Sequence, residues 1–140
     1  MNYPIILIDS SILVAYYSVR DNHHQQVKNF FDQCTSNLLT TMPCITEVMY
    51  LLSYNWHVQN QCLRGINLGV FAFSPLFSED LTRIAELNEQ YADLPGDFAD
   101  LSLIAISERL NIANIVTLDG DFDIYRRYRN QPFNRILLPN

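Results

Sequence analysis

The chain has 140 residues, 49% of them hydrophobic and 17% charged, which is the length of one domain and excludes a disordered chain. Its net charge of −6 excludes a global basic field, so contact with a polyanion would need a local basic patch. The longest apolar runs are too short to span a bilayer, and Met1-Asn2-Tyr3-Pro4 carries no basic leader, so a cytoplasmic protein is expected.

In chain order, Ile5–Ile8 is a continuous apolar, β-branched run, the pattern of a strand buried on both faces. Ser10 and Ser11 are placed to cap a helix carrying Ile12, Leu13, Ala15 and Tyr16. Asp21-Asn22 starts a second helix, with Val27, Phe30 and Phe31 inward. Asn37–Thr41 reads as a short strand, and Pro43 suits the first turn of a helix through about Tyr54. Another helix covers roughly Val58–Leu68, followed by a strand at Val70–Phe73. Ser78-Glu79-Asp80 opens a helix with Leu81, Ile84, Ala85 and Leu87 on its apolar face. After a Leu94-Pro95-Gly96 turn, Asp97 is placed to cap a helix over Phe98–Leu110. Ile115–Leu118 is a strand, Phe122–Tyr128 a short helix and Arg135–Leu138 a closing strand.

Strands alternating with helices predict an α/β domain with a parallel sheet covered on both faces. Ligands of such sheets gather beyond the carboxyl ends of the strands. Asp9 and Asp119 follow two of the strands, and Glu47 and Asp100 lie early in helices that start at the same end. Each of these acids borders an apolar run. Two carboxylates about 4 Å apart repel by roughly 4 kcal/mol at a surface-like dielectric. Acids gathered in this way need a cation, and hard oxygen ligands point to Mg²⁺ or Mn²⁺. The cysteines Cys34, Cys44 and Cys62 are odd in number and lack C-x-x-C spacing, so neither a disulfide framework nor a zinc site is expected.

Four pieces carry a resemblance: Ile8-Asp9-Ser10-Ser11, Thr46-Glu47-Val48, Asp97-Phe98-Ala99-Asp100, and Thr117-Leu118-Asp119-Gly120-Asp121-Phe122. In order and spacing the chain resembles the PIN-domain nucleases, in particular the VapC-like toxins of type II toxin–antitoxin pairs. The resemblance implies a single PIN-like domain over residues 1–140, a three-layer α/β/α sandwich around a central parallel sheet of about five short strands. It implies a metal-dependent endoribonuclease holding one or two Mg²⁺ (or Mn²⁺) ions. Asp9, Glu47, Asp100 and Asp119 are the implied ligands and catalytic acids, with Asp121 a fifth ligand in question. At that fifth position the chain departs from the family pattern, with Gly120-Asp121 where the family often has Arg-Asp. Ser10 and Thr117 resemble the hydroxyl neighbours that orient ligands. The family also implies an RNA substrate, a homodimer and a cognate antitoxin.

Other residues admit a plainer reading. Asp97 reads as a helix cap outside the ligand set, and Asp123 as solvated. His23 and His24 read as surface residues rather than substrate contacts. Arg126, Arg127 and Arg129 form either a phosphate contact beside the acidic cleft or a solvated helix end. Tyr50, Tyr54 and Trp56 read first as core packing and second as a dimer or antitoxin face. Among competing functions, a phosphoacceptor receiver domain needs a lysine after its last strand, but the single lysine is the early Lys28. A haloacid-dehalogenase-type phosphatase needs aspartate two residues after the first, where Ser11 stands. An inactive PIN-like binding module remains the main alternative.

Overall fold

Strand β1 (Ile5–Ile8) divides its side chains between two cores, as the two-residue period of a strand requires. Leu7 enters one with Ile84, Leu87, Leu103 and Ile106, while Ile6 and Ile8 enter the other with Ile12, Leu13, Val27 and Cys62. The computed structural model describes residues 3–94 and 96–139. After β1 come α1 (Ser10–Tyr17), α2 (His24–Gln33), β2 (Asn37–Thr41), α3 (Met42–Leu51), α4 (Trp56–Asn67) and β3 (Ala72–Ser74). They are followed by α5 (Ser78–Gln90), α6 (Phe98–Leu110), β4 (Asn114–Val116), β5 (Arg126–Arg127), β6 (Gln131–Pro132) and β7 (Asn134–Arg135).

Five strands pair in parallel in the order β3-β2-β1-β4-β7, and β5 and β6 form a separate antiparallel pair. Helices α5 and α6 supply the first core, and α1, α2 and α4 the second. Helix α3 straddles both, with Cys44 in the first and Ile45 and Val48 in the second. This is the expected three-layer α/β/α sandwich. Helix α6 is buried continuously from Leu101 to Ser107, while its first residue, Phe98, stays exposed. Full burial of one such leucine or isoleucine is worth roughly 1.5–3 kcal/mol. The chain leaves β1 toward β2 on one side and later returns to β4 on the other. A crevice therefore opens between the carboxyl ends of β1 and β4.

Several boundaries differ from those read in the sequence, each for a local reason. Asp9 itself caps α1, its carboxylate accepting the Ile12 N–H at 3.4 Å, and Ser10 and Ser11 fall inside the helix. Helix α2 starts at His24 because Asp21 Oδ1 accepts the His23 N–H at 2.8 Å, holding a turn ahead of it. Helix α3 ends at Leu51, and Asn55 starts α4 early by accepting the His57 N–H at 3.0 Å. Strand β3 starts at Ala72 because the Val70 N–H closes the end of α4 on the Gly65 carbonyl, around Gly69 at φ +77°. The expected helix over Phe122–Tyr128 is a 3-10 turn at Gly120–Asp123 followed by β5. The Arg126 guanidinium stops it by binding the carbonyls of Asp123, Ile124 and Tyr125 at 2.8–3.2 Å. The closing strand is Asn134–Arg135, extended one step by the Ile136 N–H on the Ile115 carbonyl at 2.8 Å. Pro95, of the expected Leu94-Pro95-Gly96 turn, lies outside the described residues.

Tyr50, Tyr54 and Trp56 are 77%, 48% and 62% exposed, so core packing is not their role. Tyr54 donates to Ser18 Oγ at 2.9 Å beneath the Arg20 guanidinium, and Trp56 stacks on His57. Among the described residues, no helix is long and apolar enough to cross a membrane.

Candidate metal centre

The carboxyl end of β1 delivers Asp9 into the crevice, where it is 3% exposed. Burial of an ionised carboxyl is costly unless donors surround it. Ser11 Oγ donates to Asp9 Oδ1 at 2.6 Å, Thr117 Oγ1 donates to Oδ2, and the α1 backbone supplies a third bond. Thr117 Oγ1 also accepts the Asp119 N–H at 2.9 Å, and Ser11 Oγ accepts the Leu118 N–H at 3.1 Å. Two hydroxyls thus stitch the ends of β1 and β4 together at the acids.

Thr41, at the end of β2, caps α3 by accepting the Cys44 N–H, which turns the helix so that Glu47 faces Ser10. Ser10 Oγ donates to Glu47 Oε1. The other neighbour of Glu47 is Asp97, whose carboxyl lies in hydrogen-bonding reach. Asp97 caps α6 as expected, its Oδ1 accepting the Asp100 N–H at 2.8 Å. The sequence pointed to that cap alone and gave no sign of the contact with Glu47.

Asp100 stands in the first turn of α6 and accepts a hydrogen bond from the Tyr125 hydroxyl at 3.1 Å. Asp119 starts the 3-10 turn after β4, its Oδ1 accepting the Asp121 N–H at 2.9 Å. Asp100, Asp119 and Asp121 each offer a carboxylate oxygen within 4.8 Å of the others. Of the five expected acids, the structure groups Asp100, Asp119 and Asp121 most tightly, while Asp9 and Glu47 stand outside that group. The charges of Asp119 and Asp100 bear on Asp9, and those of Asp97 and Asp9 bear on Glu47.

Burial raises the Asp9 carboxyl above the usual range, against the opposing pull of Ser11 and Thr117. Asp100 is pushed up to about 8, first by burial and then by the charges of Asp97, Asp119 and Asp9. Glu47 is raised by burial and by Asp97 and Asp9, with Ser10 opposing. Among the described residues, no Lys, Arg or His forms an ion pair with any of these acids. The donors are all hard oxygens, and an octahedral ion at 2.0–2.1 Å sets its ligand oxygens about 3–4 Å apart. A spread of 4.8 Å closes to that with small side-chain movements, so the residues fit a divalent cation.

The basic residues are placed differently. Arg127 binds the Ser107 hydroxyl and carbonyl at 3.2 and 3.1 Å, and Arg126 is held on backbone carbonyls as described above. Arg129 is exposed at the tip of the β5–β6 hairpin, with φ +59°. Arg135 was not singled out in the sequence, where nothing distinguishes it. It binds Asp123 at 2.8 Å and the Thr117 carbonyl at 3.1 Å, bracing the β4 end from behind. His23 is exposed, while the partly buried His24 donates from Nδ1 to the Ala15 carbonyl at 2.8 Å. Ser11 and Tyr125 also bear on the site, though in the sequence one reads as a helix cap and the other only as part of the short helix Phe122–Tyr128.

The family model for the PIN domain matches residues 6–128 of this chain. The chain belongs to the PIN domain family. It is 23% identical over 116 residues to Ribonuclease VapC26 of Mycobacterium tuberculosis (strain ATCC 25618 / H37Rv), an alignment covering 81% of this chain and 86% of that protein. Its fold is similar to that of VapC20 of Mycobacterium tuberculosis, described as a sarcin-ricin loop cleaving toxin. The TM-score is 0.76 at 19% identity, over 85% of this chain and 93% of that one. It is also similar to VapBC2 from Rickettsia felis, solved bound to a promoter DNA fragment, with a TM-score of 0.61 at 15% identity over 95% and 99% of the two chains. The VapC-like resemblance carried by the four sequence pieces is thus matched across the PIN fold.

Proposed function

We propose that the protein is a metal-dependent endoribonuclease, the toxin of a type II toxin–antitoxin pair. The observation that carries this reading is the convergence of Asp100, Asp119 and Asp121 beside buried Asp9, on a PIN fold, without a basic partner among the described residues. Asp9, Glu47, Asp100 and Asp119 would hold one or two Mg²⁺ or Mn²⁺ ions, with Asp121 completing the set. Such an ion supplies charge neutralisation, polarisation of the scissile phosphodiester and acidification of water for in-line attack.

The chain's own residues do the rest. Thr117 and Ser11 each hold one oxygen of Asp9, and Ser10 holds Oε1 of Glu47. Tyr125 restrains Asp100. Asp97 holds the start of α6, which sets where the Asp100 backbone stands. Arg129, exposed on the hairpin, is the best placed of the three C-terminal arginines to meet an RNA phosphate. The exposed Tyr50, Tyr54 and Trp56 suit burial against a second copy or an antitoxin.

The test is cleavage of RNA by the purified chain in Mg²⁺ or Mn²⁺, beside the Asp9→Asn and Asp100→Asn variants. Metal-dependent cleavage lost in both variants supports the reading. Cleavage that persists in EDTA, or in both variants, sinks it. Absence of divalent binding by calorimetry would favour the inactive binding module instead.

A further inference from the structure

One guanidinium holds both ends of the segment that carries two of the acids. Strand β7 lies in register with β4, with Arg135 beside Ile115. Strand β4 ends at Val116, and the carbonyl of the next residue, Thr117, accepts from Arg135 Nη2 at 3.1 Å. Nη1 of the same side chain donates to Asp123 Oδ2 at 2.8 Å, at the close of the 3-10 turn. Asp119 and Asp121 lie between those two points.

We propose that Arg135 is a positioning residue, which fixes where Asp119 and Asp121 stand by clamping the segment 117–123 at both ends; the inference rests on the metal-dependent reading above. The bonds inside the segment are local. The Asp119 N–H meets Thr117 Oγ1, the Asp121 N–H meets Asp119 Oδ1, and the Ile124 N–H meets the Asp121 carbonyl. They shape the turn without setting the distance between its ends. Phe122 is buried and the Leu118 N–H is bonded to Ser11 Oγ, so the span 119–121 is held at its flanks. Gly120, in the middle, has open space where a side chain would stand, so nothing packs there. Glycine also widens the range of conformations open to an unclamped chain. A planar guanidinium fixes the separation and angle of its two acceptors, which an ammonium on a flexible stem does not. Arg135 Nε is buried without a hydrogen-bond partner. A buried donor left unbonded is costly, so the placement of this side chain follows its two acceptors rather than its own full satisfaction.

Position and charge predict opposite signs for the removal of Arg135. If the residue acted through its charge, Arg135→Met would take a positive charge away from a cation site and tighten Mn²⁺ binding. If it acts by clamping, the same variant loosens two ligands and weakens binding.

The experiment is Mn²⁺ titration by calorimetry, with amide hydrogen exchange in EDTA read residue by residue by NMR, on the wild type, Arg135→Met, Arg135→Lys and Asp123→Ala. Arg135→Met is expected to bind Mn²⁺ about 3- to 10-fold more weakly, less than the roughly 10- to 100-fold of a residue bonded to the ligands themselves. Arg135→Lys, which keeps the charge, is expected to fall between it and the wild type. The amides of Asp119, Asp121 and Ile124 are expected to exchange at least about tenfold faster in Arg135→Met and in Asp123→Ala, while those of β1 and α6 keep their rates. Asp123 is the second variant because its side chain is 62% exposed, so its removal spares the core and decides the matter through exchange even if Arg135→Met does not fold.

Mn²⁺ binding that is unchanged or tighter in folded Arg135→Met overturns the proposal. So does exchange that is unaltered in the segment, or that quickens equally in β1 and α6, which would make the arginine a support of the whole fold. Wild type that binds no Mn²⁺ overturns the metal-dependent reading instead, and the exchange rates still judge the clamp.

Discussion

Asp9 and Thr117 lie 108 positions apart and are joined by a hydrogen bond from the threonine hydroxyl to a carboxylate that is almost wholly buried. The same hydroxyl accepts the Asp119 N–H, so one side chain positions two acids of the cluster. Thr117→Val keeps the volume but removes both bonds. The variant is expected to lose about 10- to 100-fold in Mn²⁺ affinity, while Thr117→Ser restores most of it. Calorimetric titration of the three proteins, with circular dichroism to establish folding, checks this.

The acidic cluster makes stability depend on pH in a defined direction. Asp100 titrates at about 8 in the folded chain, against an ordinary value of 3.8. Between those values the folded state holds a proton that the unfolded chain has released, so stability falls as pH rises through the window. The raised Asp9 and Glu47 carboxyls act in the same sense. Thermal melts in EDTA at pH 5, 6, 7 and 8 are expected to show a falling Tm, with a shallower slope in Asp100→Asn. At 100 times its Kd, a bound divalent ion adds about 2.7 kcal/mol, which is roughly 10 °C for a domain of this size. A Tm that rises with pH in EDTA contradicts the argument.

Most of the architecture was legible because the strands are short and apolar, and because helix caps such as Asp97 carry a local signature. The acids were legible for a different reason: each borders an apolar run, where an unpaired carboxylate is anomalous. What escaped was decided by contacts distant in sequence. Ser11 reads as a cap in the sequence, since its neighbour in space, Leu118, is 107 positions away. Arg126 ends the expected C-terminal helix through its side chain, which no propensity anticipates. Asp97 satisfies its local role so well that its contact with Glu47, from another helix, leaves no trace in the sequence.

Away from the crevice, Arg83 is bonded through Nε and Nη2 to Glu108 at 2.7 and 3.0 Å, tying α5 to α6. The Glu108 side chain is 2% exposed, so Arg83→Met strands a buried charge. A cost of about 3–5 kcal/mol is expected, relieved in the Arg83→Met/Glu108→Leu double variant. Urea unfolding measures it. Divalent binding should be unchanged in the single variant under conditions where it remains folded, because neither residue touches the acids.

The central claim is that the chain folds its distant acids into one site that calls for a divalent cation, and Mn²⁺ titration of the purified protein by calorimetry tests it most directly. Saturable binding to the wild type, severely weakened in both Asp100→Asn and Asp119→Asn while each variant stays folded, is the predicted result. No binding to the wild type, or equal binding by all three proteins, would contradict it.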